Sequence, residues 1–133
     1  MPLFGGGKRQ AESEALHAEV ERLGALSLRD LAAEVMVKGF GPGGPAADGP
    51  VHIQNIAGAF SPVTSMLTAR SGGDSQALAS IVAEGVQVLE HTCLVRWIFS
   101  GGDTAELYWC KTRYGQEVLD QHAVERVLGG GSL

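Results

Sequence analysis

Positive charge, long apolar runs and cysteine are all scarce in this chain, and each shortage closes off a class of function. Ten Lys and Arg stand against fifteen Asp and Glu, a net charge of −5, which disfavours sequence-independent attraction to phosphate backbones. No apolar run approaches the roughly 20 residues of a membrane span; the longest, 94–99, is interrupted by Arg96. The only two cysteines form no C-x-x-C pair, and neither G-x-S-x-G nor H-E-x-x-H occurs, so the motifs of common zinc sites, hydrolases and metalloproteases are missing. Nothing in the sequence argues for an enzyme, a cofactor or a metal.

At the N-terminus three glycines precede Lys8 and Arg9, the reverse of a signal peptide's basic-then-apolar order, so a cytoplasmic protein is expected. The same glycines lack phosphate-loop spacing, and Arg9 stands where the hydroxyl belongs. Residues 1–10 therefore read as a flexible tail.

What is present is enough for one packed domain over 11–128, because 44% of the residues are apolar and only 19% charged, sufficient to offset chain entropy by burial. Leu16, Val20 and Leu23 recur at helical spacing up to Gly24. Ser27, three residues before Asp30, opens a second helix carrying Leu28, Leu31, Val35 and Met36 on one face. Residues 39–50 hold five glycines and three prolines and read as a mobile surface loop. Val51, Ile53, Ile56, Ala57 and Phe60 fit a short helix ending before Pro62, and residues 63–70 could add a turn or two.

Asp74 and Ser75 cap the longest predicted helix, to His91, with Leu78, Ile81, Val82, Gly85, Val86 and Leu89 as a wide apolar stripe. Strands over 94–99 and 105–110 flank Gly101 and Gly102 and should pair as a hairpin. Thr112 caps a last helix with Tyr114, Val118 and Leu119, broken near Gln121 before Val124, Val127 and Leu128; a second flexible tail, 129–133, follows. The expected fold class is α+β and mostly helical, with helices first and a two-stranded hairpin plus helix at the C-terminal end.

The strings VLEHTCLVR (88–96) and TRYGQEVL (112–119) resemble the third helix with first wing strand, and the helix after the wing, of bacterial winged-helix regulators. The resemblance covers about residues 76–120 and implies a winged-helix-like scaffold. As a DNA-binding regulator such a scaffold would use Arg70, Gln76, Gln87, Arg96, Lys111 and Arg113. Two features depart from the pattern. About fifteen residues join the presumed second helix to Gln76, where a helix-turn-helix uses three or four. Residues 75–91 contain no Lys or Arg but do contain Glu84 and Glu90, which is poor chemistry for phosphate contact.

The hairpin offers more. If Gly101 and Gly102 form a two-residue turn, Cys93 lies directly opposite Cys110, close enough to consider a thiol pair, although buried cysteine is commonly just a small hydrophobe. His91, Cys93 and Cys110 lack a fourth zinc ligand. In that register Val95, Trp97 and Phe99 face one way with Tyr108, while Leu94, Ile98, Leu107 and Trp109 face the other. Both faces are apolar, so one packs on the helices and the other on the first two helices or a second subunit. Trp97, Phe99, Tyr108 and Trp109 are the candidate interaction face of a regulatory module whose partner is another protein or itself, as a homodimer.

Overall fold

The computed structural model of the chain describes residues 4–62, 73–100 and 106–133. Capping chemistry sets two of its helix starts. The Ser27 hydroxyl accepts from the Asp30 N–H at 3.1 Å, opening α2 (Leu28–Val35), and the Thr112 hydroxyl accepts from the Gly115 N–H at 2.9 Å, opening α5 (Arg113–Asp120); each satisfies a donor that a helix end leaves unpartnered. Around them lie α1 (Phe4–Gly24), α3 (Ile53–Gly58), α4 (Gly73–His91) and α6 (Val124–Leu128), with strands β1 (Val95–Ser100) and β2 (Glu106–Lys111) between α4 and α5. The fold is α+β and mostly helical, as expected.

α4 is the spine. Its stripe of Leu78, Val82, Gly85, Val86 and Leu89 is buried, and α1, α2 and α3 all pack along it. α1 runs alongside in the same direction: His17 meets Asp74, and seven residues on Gly24 lies against Ile81. α2 crosses at Gly85, where a Cβ would stand 2.8 Å from Val35 Cγ2 and 3.3 Å from Leu31 Cγ. The core then extends through Met36, Phe40, Ile56 and Phe60 to Leu94, Val118 and Val127, and among the described residues no polar or charged side chain is buried.

Several boundaries differ from expectation. α1 begins at Phe4, so helix occupies most of the expected tail 1–10. Leu28 is 55% exposed rather than on the apolar face, since the cap places it in the first turn ahead of the contact with α4. α2 continues into a wider π turn (Met36–Phe40), and residues 39–50, expected as a loose loop, fold back onto it. The Ala46 N–H donates to the Gly39 carbonyl at 2.9 Å, and Phe40 and Ala46 are core residues. Val51 is not helical but pairs with β2, and α3 starts only at Ile53. The turns expected over 63–70 lie outside the described residues. At the other end, the N–H groups of Gly129, Gly130 and Gly131 donate to carbonyls of Glu125, Val127 and Arg126, so residues 129–131 finish α6 instead of trailing from it, while Arg29 Nη2 ties α2 to the Glu125 carbonyl at 3.2 Å.

The hairpin register is the main correction. Ser100 pairs with Glu106, so the connection is the five residues 101–105, not a two-residue turn at Gly101 and Gly102, which themselves lie outside the described residues. Cys110 consequently faces Arg96, three residues beyond Cys93. The cause lies at the open end of the hairpin. The Leu94 carbonyl accepts from the Thr112 N–H at 3.1 Å and from its hydroxyl at 3.2 Å, and a Cβ on Gly115 would stand 2.1 Å from the same oxygen. Leu94, fully buried, is thereby locked to Thr112, and the ladder follows.

The two tight glycines separate by what they touch. Gly115→Ala drives a methyl into a backbone carbonyl that cannot rotate away and is expected to cost about 2–3 kcal/mol, the upper range for overpacking. Gly85→Ala meets only side chains and gains about 0.5–1 kcal/mol of helix propensity in return. Urea unfolding should therefore show a clearly larger loss for Gly115→Ala; equal losses would count against the Leu94 lock.

Candidate hairpin interface

β2 is the middle of a three-membered arrangement. On one side it pairs with β1; on the other, the Trp109 N–H and C=O exchange hydrogen bonds with Val51 at 2.8 and 3.0 Å. Because Trp109 directs its backbone polar groups at Val51, its pairing with Trp97 across the hairpin is of the non-hydrogen-bonded kind, where opposed side chains come closest. Val51, Trp109 and Trp97 thus form a row across one face. Exposure is graded along it: Val51 and Trp109 are half-buried and pack on the core, whereas Trp97 is 48% exposed. The neighbouring Phe99–Leu107 pair adds Leu107 at 46% exposed, while the side chain of Phe99 lies outside the description.

The three-residue change of register is odd, so it exchanges the faces of β2 relative to β1. Trp109 and Leu107 join Val95 and Trp97, while Tyr108 moves to the opposite face with Arg96, Ile98 and Cys110. There its ring lies 4.4 Å from that of His52, tilted by 50°. Of the expected face Trp97, Phe99, Tyr108 and Trp109, three positions are brought together and Tyr108 is not. Leu107 and Val51 were missed; Leu107 is found once the register is known, and the signal for Val51 was a β-branched residue just after Pro50.

The basic and amide residues expected for nucleic acid divide between α4 and the open end of the hairpin. Gln76 and Gln87 are exposed on α4 in a stripe with Ser80, Glu84 and His91, spaced three and four residues apart. Arg96 and Arg113 are exposed, on β1 and at the start of α5, Lys111 is half-buried at the end of β2, and Arg70 lies outside the described residues. Other cations are already engaged: Arg22 Nη1 binds both Glu34 oxygens at 3.0 and 3.1 Å, with Glu19 on its Nε, and these carboxylates hold its guanidinium all the more firmly charged. Lys38 Nζ sits 5.2 Å over the Phe60 ring.

Cys93 and Cys110 are both free thiols. Cys93 precedes β1 with φ of 66°, a left-handed conformation that disfavours a side chain, and the Thr112 hydroxyl holds its carbonyl at 2.6 Å. No group of three His, Cys, Asp or Glu among the described residues could hold a metal ion, and no helix among them is long and apolar enough to cross a membrane. Comparison with protein families, with curated proteins and with solved structures gives no match.

The register predicts that mild oxidant leaves the monomer with two titratable thiols, the exposed Cys93 reacting with a maleimide ahead of the half-buried Cys110. An intramolecular disulfide on non-reducing mass analysis would contradict the pairing of Cys110 with Arg96.

Proposed function

We propose that this chain is a non-enzymatic regulatory or protein-interaction module on a winged-helix-like scaffold, and that its contact surface is the outer end of the hairpin face bearing Trp97 and Leu107. The scaffold reading is supported by the order of α4, hairpin and α5, and by Val51, which joins the hairpin to the segment before α3. One observation carries the functional reading: two large apolar side chains, each nearly half exposed, stand on one face of a strand pair whose inner end is core. Tryptophan in that setting is the residue type most enriched at interface hot spots, and its exposure costs hydrophobic free energy that a partner recovers. The partner to test first is a second copy of the chain.

A DNA-binding regulator of the same shape would need cations where its long helix meets the backbone. The exposed stripe of α4 offers Gln76, Ser80, Glu84, Gln87 and His91 instead, and a carboxylate there opposes phosphate. Protein contact is therefore preferred.

Both tryptophans lie in the row described above, so intrinsic fluorescence reads this face directly. Sedimentation over a concentration series should show self-association accompanied by a blue shift of emission, and Trp97→Ala should weaken it by about 2 kcal/mol, the scale of a hot spot. A chain that stays monomeric while binding random duplex DNA in a steeply salt-dependent way would replace this reading with the regulator.

A further inference from the structure

We propose that His17 is a proton-operated latch that holds α1 against the N-terminal turn of α4. Its imidazole bridges two carboxylates on different helices: Nδ1 stands 3.2 Å from Asp74 Oδ1 of α4, and Nε2 stands 3.1 Å from Glu21 Oε1, one turn further along α1. An ionised carboxylate only accepts hydrogen bonds, and a neutral imidazole has a single N–H. The two contacts can therefore both be hydrogen bonds only in the imidazolium. Loss of the proton turns one of them into a lone pair facing a carboxylate oxygen, and either the tie between helices or the tie within α1 is given up.

The surroundings leave these two carboxylates in control. Among the described residues the charged groups acting on His17 are Asp74, the stronger, and Glu21, and they raise its pKa above the ordinary 6.5. α2, the other helix tied to α1, presents Glu34, but that carboxylate is held by Arg22. Glu14, one turn before His17, is bound by Gln10 Nε2 at 3.4 Å. Because the folded-state pKa lies above the unfolded one, the latch contributes fully below about 6.5 and is lost as pH rises through the folded value. What it controls is the seat of Leu16 and Leu23, the buried anchors among the described side chains of α1. Among the described side chains ahead of Leu16, residues 10, 11 and 13–15 are exposed and Glu12 is half-buried, so over residues 10–24 full burial begins at Leu16, beside His17. Raising pH thus loosens α1 and uncovers an apolar strip of α4.

The test uses the full chain, with the His17 ring followed by NMR and amide exchange compared at about pH 6 and about pH 8, corrected for intrinsic exchange. His17 should titrate above the ordinary value, and Asp74→Asn should bring its midpoint down. Protection of residues 16–24, relative to that of 82–89, should fall by about two- to fivefold at the higher pH, the scale of exposed ion pairs, and His17→Gln should abolish that pH dependence while leaving 82–89 protected. A midpoint at or below the ordinary value, or an α1 protection ratio that is the same at both pH values or unchanged in its pH dependence by His17→Gln, overturns the proposal. Neither result bears on the hairpin interface, whose own test is self-association.

Discussion

The carbonyl oxygen of Leu94 is where α4, the hairpin and α5 meet. It accepts from both the N–H and the hydroxyl of Thr112, and only because Gly115 lacks a Cβ can the first turn of α5 come close enough for this to happen. The same threonine caps α5 and holds the carbonyl of Cys93, a residue in a strained conformation. A strained residue persists where its surroundings over-determine it, and here a buried Leu94 on one side and a capped helix on the other do so. Because strand side chains alternate, fixing Leu94 to Thr112 decides which face every residue of β2 occupies. The row of Val51, Trp109 and Trp97 is a consequence of that lock.

The helical layer follows a different logic, in which burial along α4 supplies cohesion and charge supplies placement. Leu23, Leu31, Val35, Val82 and Val86 are fully or almost fully buried, and at about 1.5–3 kcal/mol for each large aliphatic side chain such contacts dominate any contribution from the ion pairs at the rim. Those pairs join different helices: Arg22 of α1 to Glu34 of α2, His17 of α1 to Asp74 of α4. Exposed ion pairs stabilise little, but they discriminate between nearby ways of laying one helix on another.

Function and fold are connected at the hairpin. Its inner end, Val95 and half of Trp109, packs into the core, while Trp97 and Leu107 on its outer end are each nearly half exposed. A base packed into the core beneath half-exposed Trp97 and Leu107 limits the entropy lost when those side chains are covered, which suits a contact surface. The opposite face carries Arg96, Ile98, Cys110, and Tyr108 against His52.

Local chemistry was legible without the structure. The caps at Ser27 and Thr112, the stripe of α4, the break near Gln121 and the α+β class all depend on interactions within a few residues, and those are written in spacing and residue type. The register was not, because both faces of the hairpin are apolar and alternation could not choose between pairings; a Gly-Gly pair suggested a turn that the Leu94–Thr112 contact, invisible in sequence, overrode. Residues 39–50 looked like a loose loop because glycine and proline break periodic structure, yet Phe40 and Ala46 anchor the segment to the core. The partnership of Val51 with Trp109 and of His17 with Asp74 joins positions nearly sixty residues apart, and such pairs exist only once the helices have been laid on α4. By itself the sequence determined the elements; the tertiary structure decided which faces they show, since that choice is made by long-range contacts no local pattern encodes.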